Sequence, residues 1–248
     1  MHARLIALAA ALGLASAGAA AATDPQLVQH GRALYDQGCI TCHGSNGEGV
    51  APGSAPAGSL DVHGAGPPLL GVGARAADFY LSTGYMPLRD PYAQPSRRRP
   101  LYSEDDLRAL VAYIGSLGGP PVPRPHPERG SISEGLRLFT ENCAGCHQVV
   151  AKGGIVNTAI APGLDQASPT QIAEAVRIGP YVMPRFTQRQ LSNRKLDSII
   201  AYVQYAKNPI DRGGWAIGNI GPVPEGLIAW LLAGVVLLVL ARVIGEKA

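Results

Sequence analysis

The residues best suited to chemistry in this sequence are four cysteines, arranged as two pairs that are each followed by a histidine. The pairs form the motifs Cys39-Ile40-Thr41-Cys42-His43 and Cys143-Ala144-Gly145-Cys146-His147, and the chain has no other cysteine. Two thiols three positions apart can form thioethers to the two vinyl groups of one haem, and the adjoining histidine can then bind the iron through a ring nitrogen. The two motifs therefore predict two covalently bound haem c groups.

Paired cysteines also build zinc ribbons and redox-active dithiols, but the sequence favours neither. A four-thiolate zinc site usually separates its pairs by tens of residues, whereas about a hundred separate these two pairs. Neither kind of site requires a histidine directly after each pair. Since no cysteine is left over, the sequence offers no disulfide framework either.

Two methionines are the predicted second axial ligands of the two irons. The chain has three methionines, and the first is the initiator. Met86 precedes Pro87 and Met183 precedes Pro184, and each methionine lies downstream of one haem motif with a tyrosine shortly before it. A lone methionine usually fills a core, but these matching positions favour one ligand for each haem. Histidine and methionine together raise the reduction potential relative to other common ligands, which suits an electron carrier.

Length and composition allow about two small domains of ~100–150 residues each. The 248 residues are 46% hydrophobic and 16% charged, with 31 glycines and 21 prolines, which indicates a globular chain rich in loops. A net charge of +3 and an aromatic content of 6% give no support for a nucleic-acid partner.

Helices that recur in the sequence must position the two motifs. Asp24 and Pro25 predict the start of the first helix. In each half, a glycine lies eight residues and an aromatic residue four residues before the first cysteine of the motif. These residues are Gly31 and Tyr35 in the first half, and Gly135 and Phe139 in the second.

Each half also ends in an amphipathic helix with one apolar face, and Ser103 and Ser192 are the predicted N-caps. The apolar positions follow the i, i+3, i+4, i+7 pattern. They are Leu107, Leu110, Val111 and Ile114 in the first half, and Leu196, Ile199, Ile200 and Val203 in the second. The two sets differ by a constant 89 positions, as do Tyr113 and Tyr202. This agreement indicates the internal duplication of a whole domain.

Both halves resemble class I cytochromes c, in which that glycine and aromatic residue let the N-terminal helix cross closely against the C-terminal helix. The segments Gly66-Pro67-Pro68-Leu69 and Ala161-Pro162-Gly163-Leu164 are part of the resemblance. It implies that the carbonyl groups of Pro67 and Pro162 accept the Nδ1 proton of the ligating histidines, which fixes the tautomer and makes the imidazole a better donor to iron. The resemblance therefore predicts an all-α fold with two tandem class I cytochrome c domains.

The predicted domains cover residues 24–117 and 131–207, and the proline-rich residues 118–130 form a fairly stiff linker between them. Residues 208–225 then lead to a predicted transmembrane helix over residues 226–244. That helix would be about 28 Å long at ~1.5 Å per residue, which is close to the thickness of the hydrocarbon core.

Residues 1–22 have the layout of a signal peptide, and cleavage near Ala22 is the favoured outcome. The uncharged run within them would also be long enough to serve as a retained membrane anchor. In either case the following chain is exported. Together with the family of c-type cytochromes, this predicts haem domains on the extracytoplasmic side of the cell membrane, held by a single C-terminal anchor.

Two surface features have alternative interpretations. Residues 44–66 form a predicted loop, in which His63 is expected to be solvated because Met86 already supplies the sixth ligand. The run Arg97–Arg99 is expected to be solvated surface, the alternative being a docking patch near the first haem.

The whole arrangement resembles the dihaem cytochrome cc subunit of the actinobacterial menaquinol:cytochrome c reductase, the cytochrome bcc complex. Nearly the whole chain takes part, including Cys-Ala-Gly-Cys-His, Met-Pro-Arg-Phe and the Gly-Pro-Val-Pro-Glu-Gly segment before the anchor. The resemblance implies that the partners are the cytochrome b and Rieske iron–sulfur subunits and, in a supercomplex, the terminal cytochrome c oxidase. It also implies that electrons enter at the N-terminal haem from the Rieske protein and leave at the C-terminal haem.

Two other functions stay open at this point. One is a dihaem subunit of a cytochrome oxidase or of a membrane dehydrogenase, although common oxidase subunits carry their anchor before the haem domains. The other is a haem peroxidase, which needs an open iron position and is opposed by the presence of one methionine for each haem.

Overall fold

The structure is a computed structural model, and it describes residues 24–51, 66–88, 94–156, 159–209 and 222–246. The predicted signal peptide, His63 and most of the membrane-proximal segment lie outside these residues. The chain divides into two compact units, Met1–Gln204 and Tyr205–Ala248.

The first half of the larger unit contains the helices α1 (Pro25–Gly38), α2 (Ile40–His43), α3 (Gly73–Ser82) and α4 (Glu104–Ser116). Asp24 caps α1, because its carboxylate accepts a hydrogen bond from the Gln26 N–H at 2.9 Å. Ser103 caps α4 by accepting a hydrogen bond from the Asp106 N–H at 3.2 Å. Both predicted helix starts are confirmed.

The second half repeats these helices and adds a short hairpin. After a 3₁₀ turn at Pro127–Arg129 come α5 (Ile132–Asn142), α6 (Ala144–His147), β1 (Gly154–Val156), β2 (Ala159–Ala161), α7 (Pro169–Ile178) and α8 (Asn193–Lys207). The two strands pair antiparallel, with Ile155 opposite Ile160. This hairpin differs from the predicted loops and helices, although β-branched residues at paired positions suit one. Apart from an isolated β-bridge between Val50 and Gly66, the rest of the described part of this unit is helical or irregular, in agreement with the predicted fold class.

In the first half, α1 crosses α4 at Gly31. A Cβ at this position would overlap the carbonyl oxygen of Ala109 and would come within 2.8 Å of the Tyr113 Cβ. Only glycine therefore permits such a close approach. One turn further along α1, the ring of Tyr35 packs against the ring of Tyr113, with centroids 5.1 Å apart and planes inclined at 54°.

In the second half, α5 crosses α8 at Gly135 with equivalent contacts. A Cβ there would overlap the carbonyl oxygen of Ser198 and would come within 2.8 Å of the Tyr202 Cβ. The rings of Phe139 and Tyr202 lie 5.4 Å apart and are again inclined at 54°. The structure thus reproduces the duplication that the sequence indicates.

The apolar faces predicted for the C-terminal helices of the two halves are largely buried. All four predicted positions of α8 are buried, and in α4 Leu110 and Ile114 are buried while Leu107 and Val111 are half-buried. Tyr35 and Tyr113 join Leu110 and Ile114 in one core. Each pair of crossing helices therefore closes its own apolar interior.

The proline-rich segment 118–130 is hydrogen-bonded to the helices on both sides of it. The Pro120 carbonyl accepts a bond from the Arg75 N–H of α3 at 3.2 Å. At the other end, the His126 N–H donates to the Asp197 carboxylate of α8 at 2.8 Å. Both ends of the segment are thus fixed to the larger unit.

The second unit contains α9 (Pro222–Gly245). Within it, Glu225–Gly245 is long and apolar enough to cross a membrane, and it is the single such stretch among the residues that the structure describes. Near its end, Arg242 pairs with Glu246 at 2.9 Å. This helix corresponds to the predicted span over residues 226–244.

The crossing at Gly31 leads to a stability prediction. We expect Gly31→Ala to destabilise the haem-loaded protein by about 1–3 kcal/mol, because the added methyl group forces the two helices apart. This loss occurs even though alanine has the higher helix propensity. Thermal unfolding in detergent, followed by circular dichroism of the haem band, measures the change.

Gln29→Ala, at an exposed position of the same helix, serves as the matched control and should leave the unfolding temperature nearly unchanged. If Gly31→Ala is as stable as this control, the crossing is not a tight constraint.

Candidate haem sites

The first site is built on α2, which follows α1 with no interruption in backbone hydrogen bonding. The Cys39 N–H donates to the Tyr35 carbonyl and the His43 N–H donates to the Cys39 carbonyl, both at 2.9 Å. This single turn holds Cys39, Cys42 and His43 at the wall of one cavity, which Met86 also lines.

The second site is built on α6 in the same way. The Cys143 N–H donates to the Phe139 carbonyl at 2.8 Å, and the His147 N–H donates to the Cys143 carbonyl at 2.9 Å. Cys143, Cys146, His147 and Met183 line the cavity. The structure therefore brings together each set of residues that the sequence predicts.

A proline carbonyl orients each histidine. His43 Nδ1 lies 2.8 Å from the Pro67 oxygen, and His147 Nδ1 lies 3.0 Å from the Pro162 oxygen. Because a carbonyl oxygen can only accept, each Nδ1 carries the proton, and each Nε2 keeps a lone pair for a metal. Burial lowers the pKa of His147, against the opposing effect of the hydrogen bond to Pro162, and so favours the neutral imidazole whose Nε2 can bind a metal.

The first cysteine of each motif lies in an environment that disfavours the thiolate. Burial raises the pKa of Cys39 and of Cys143 to about 11. The thiolate is the form that attacks a disulfide, and burial disfavours that form at Cys39 and Cys143. Among the described residues, no group of three His, Cys, Asp or Glu side chains could hold a metal ion.

Both sites open into one continuous cavity of 1180 Å³. Typical pockets for one drug-sized ligand measure about 300–1,000 Å³. Helix α3 contributes Ala76, Ala77 and Phe79 to the wall, and α7 contributes Ala175 and Val176. An apolar cavity with two separate sets of thiols, imidazole and thioether fits two haem groups.

Two glycines that the sequence analysis missed complete the loops after the histidines. The Gly49 N–H donates to the His43 carbonyl at 2.8 Å, and the Gly153 N–H donates to the His147 carbonyl at 3.0 Å. Both have positive φ, 84° and 80°, which favours glycine. Each lies six residues after its histidine, and this repeated spacing could predict both glycines from the sequence.

A tyrosine hydroxyl secures the backbone after each histidine, but it comes from a different helix in each half. In the first half, the Tyr35 hydroxyl of α1 donates to the Gly44 carbonyl at 2.6 Å. In the second half, Phe139 has no hydroxyl at the equivalent position, and the Tyr202 hydroxyl of α8 donates to the Val149 carbonyl at 2.5 Å.

The two methionine loops also differ. The Met86 N–H donates to the Tyr80 carbonyl at 3.0 Å, and Tyr85 packs edge-on against Phe79 with centroids 5.6 Å apart. In the second loop, Tyr181 is 55% exposed. The tyrosines that the sequence places near both methionines therefore have different surroundings.

Polar side chains join the two halves directly. The Gln94 side chain accepts from the Ile160 N–H at 2.9 Å and donates to the Ile160 carbonyl, so its amide pairs with β2 as the backbone of another strand would. The Gln171 side chain donates to Ser82 at 2.9 Å and accepts from Arg97 at 2.6 Å. The run Arg97–Arg99 is thus divided, since Arg97 is half-buried between the halves while the other two arginines are exposed.

Comparison with known proteins agrees with this geometry. Residues 28–118 match the family model for cytochrome c, and residues 130–203 match the model for cytochrome c oxidase, cbb3-type, subunit III. The cytochrome bc1 complex cytochrome c subunit of Corynebacterium diphtheriae is 37% identical over 98% of this chain and 93% of its own length. The chain belongs to this family of cytochrome c subunits.

Two further relatives show how far the similarity extends. The cytochrome bc1 complex cytochrome c subunit of Mycobacterium tuberculosis is 36% identical over 98% of this chain and 89% of its own length. A cbb3-type cytochrome c oxidase subunit CcoP of Azospirillum is 25% identical over 70% of this chain and 60% of its own length. Family membership establishes an electron-transfer protein with covalently bound haem c, and it confirms the predicted pair of cytochrome c domains.

Proposed function

We propose that this chain is the dihaem, membrane-anchored electron relay of a respiratory quinol:cytochrome c reductase. The observation that carries the proposal is that two complete sets of Cys, Cys, His and Met line one cavity. When bound, haem c supplies a one-electron carrier at each site. The relatives named as bc1 complex subunits support the assignment to a reductase.

In this proposal the chain's own residues attach, ligate and orient the cofactors. Cys39 and Cys42 attach the first haem, and Cys143 and Cys146 attach the second. His43 with Met86 would ligate the first iron, and His147 with Met183 would ligate the second. The carbonyl groups of Pro67 and Pro162 hold the two imidazoles in the tautomer that leaves Nε2 free.

The proposed partners are the cytochrome b and Rieske iron–sulfur subunits and the terminal oxidase. Electrons enter from the Rieske protein at the first domain, residues 24–117, and leave from the second, residues 131–207. Helix α9 anchors both domains at the extracytoplasmic surface. A tethered relay replaces diffusional encounter by a high effective concentration.

The second candidate function is an electron-transfer subunit of a cytochrome oxidase. It is favoured by the match of residues 130–203 to the cbb3-type oxidase model. The bc1 relatives, however, match nearly the whole chain at higher identity. Purification of the native complex in mild detergent separates the two candidates, because cytochrome b and a Rieske protein travel with a reductase subunit only.

The number of haems can be measured directly. We expect the mass of the mature protein to exceed that of its polypeptide by two haems, and the excess should survive denaturation and acid–acetone extraction because thioethers are covalent. The variant C39A/C42A should keep one haem, and so should C143A/C146A. Intact mass spectrometry that finds a single haem on the unmodified chain would contradict the proposal.

The axial ligands lead to a prediction about reduction potentials. We expect Met86→His and Met183→His each to lower the potential of one haem by conversion to bis-histidine ligation, while the other haem changes little. Spectroelectrochemical titration resolves the two haems, and each variant is the control for the other. If a variant leaves both haem spectra unchanged, its methionine is not a ligand.

Closed ligation should also limit carbon monoxide binding by the reduced protein. Extensive binding at either iron would instead favour an open site, as a peroxidase requires.

The direction of electron flow is testable in a purified assembly with the oxidase. We expect Met183→His, which lowers the potential at the exit, to leave the first haem reduced during turnover while oxygen consumption falls. Turnover of the unmodified assembly should depend little on ionic strength, since no freely diffusing carrier has to dock. Time-resolved haem spectra and an oxygen electrode measure both quantities.

A first haem that stays oxidised in Met183→His would reject this direction. Turnover restored only by added soluble cytochrome c would reject the direct relay.

A further inference from the structure

A group of charged side chains lies where α3 packs against α7, beside the haem cavity. Ala77 of α3 and Ala175 of α7 line the cavity, and their neighbours Asp78 and Glu174 interact with each other across the helix contact. Arg75 of α3 also interacts with Glu174. This group belongs to neither set of haem ligands, yet each of its helices forms part of one haem site.

Glu174 is the most unusual member of the group. It is completely buried, and its carboxyl oxygens accept no hydrogen bond from an N–H group or a hydroxyl in the described part of the chain; the group beside them is the Asp78 carboxyl. A buried carboxylate without partners is strongly disfavoured relative to the neutral acid. Burial, followed by the nearby negative charge of Asp78, raises the pKa of Glu174 to about 9.

The other charged groups at this contact do not neutralise Glu174. Arg75 is the cation that faces it from α3, and the Arg75 Nε is itself buried without a partner. Arg177 of α7 donates to the Phe186 carbonyl at 3.1 Å and to the Asn193 side chain at 2.8 Å. Arg185, which follows α7, interacts with Arg75. The two carboxyl groups therefore share a site that favours retention of one proton.

We propose that the pair Asp78 and Glu174 is a proton-binding site whose occupancy is coupled to the oxidation state of the two haems. This inference rests on the proposed dihaem function. The pair lies between helices that form both haem sites, where charges interact more strongly than in water. An electron added to either iron favours binding of the proton by the pair. By reciprocity, the bound proton raises the reduction potential of the haem.

On reduction, one electron passes from the preceding carrier to an iron, and the Asp78–Glu174 pair takes up as much as one proton from solvent. When the electron leaves, the carboxyl O–H bond breaks and the proton returns to solvent. Asp78 is only half-buried, whereas Glu174 is fully buried and has no contact with water. Asp78 is therefore the group through which the proton exchanges with water.

The direct test is a redox titration of the full-length dihaem protein in detergent at a series of pH values. We expect the potentials to be constant at acidic pH and to fall as the pH rises toward about 9, where Glu174 ionises. In Glu174→Gln, which cannot ionise, the potentials should stay at the acidic value throughout. Glu141→Gln, an exposed carboxyl on α5 paired with Arg137, is the matched control and should behave as the unmodified protein does.

Two further variants should shift the pH range in opposite directions. Asp78→Asn removes the negative charge that opposes ionisation of Glu174, so the fall in potential should move to lower pH. Arg75→Gln removes the cation that favours ionisation, so the fall should move to higher pH. A role in folding alone would lower the unfolding temperature of these variants without moving the pH range.

A second readout does not depend on electron transfer to a partner. The reduced-minus-oxidised infrared difference spectrum should contain the C=O stretch of a protonated carboxylic acid, and Glu174→Gln should remove it. The absorption of methionine-ligated ferric haem, recorded in parallel, excludes a change of ligand as the cause of the pH dependence.

Potentials of the unmodified protein that do not vary with pH would overturn the inference, and so would a fall that persists unchanged in Glu174→Gln. Mass spectrometry keeps this failure separate from that of the proposed function, because a chain with two haems but no pH dependence refutes the proton site only.

Discussion

The close crossing of the first and last helices in each half is the contact on which the haem sites depend. Gly31 and Gly135 let two backbones touch where any larger residue would overlap a carbonyl oxygen. That contact fixes the axis of α1 or α5, and the next turn of the chain carries both cysteines and the histidine. The positions of the two cysteines and the histidine in each half therefore depend on one glycine and on the helix that packs against it.

The two halves preserve this crossing while they differ in what surrounds it. The hydroxyl that secures the chain after the histidine comes from Tyr35 in one half and from Tyr202 in the other. A comparable bond can be made from either crossing helix, because the two aromatic rings pack together at the crossing, and its acceptor is the first residue after the histidine in one half and the second in the other. Both halves thus keep a tyrosine hydroxyl bonded to the backbone after the histidine, but the tyrosine comes from α1 in one half and from α8 in the other.

The sequence predicted the local features well because they depend on few residues at fixed spacings. The helix caps at Asp24 and Ser103 and the apolar face of α8 agree with the structure. The approach of His43 and His147 to Pro67 and Pro162 agrees with the geometry implied by resemblance to class I cytochromes c. Each of these follows from a motif or a period that can be read along the chain.

What the sequence could not predict arises between segments that are far apart along the chain. Gln94 pairs with Ile160, and Arg97 reaches Gln171, although nothing in either segment indicates its partner. Glu174 looks like an ordinary solvent-facing residue of an amphipathic helix until α3 covers it. The contact between the two halves is specified by shape and by complementary polar groups, which have no period or motif.

The size of the shared cavity has a consequence for how the protein is assembled in the cell. The cavity measures 1180 Å³ and its wall is mostly apolar, so its lining side chains have no packing partners on one side until cofactors fill it. Single domains are stable by only ~5–15 kcal/mol, so the missing packing is a large loss for the polypeptide alone. A chain that lacks its cofactors is therefore more open to proteases than the loaded protein, so the amount of mature protein depends on the supply of haem.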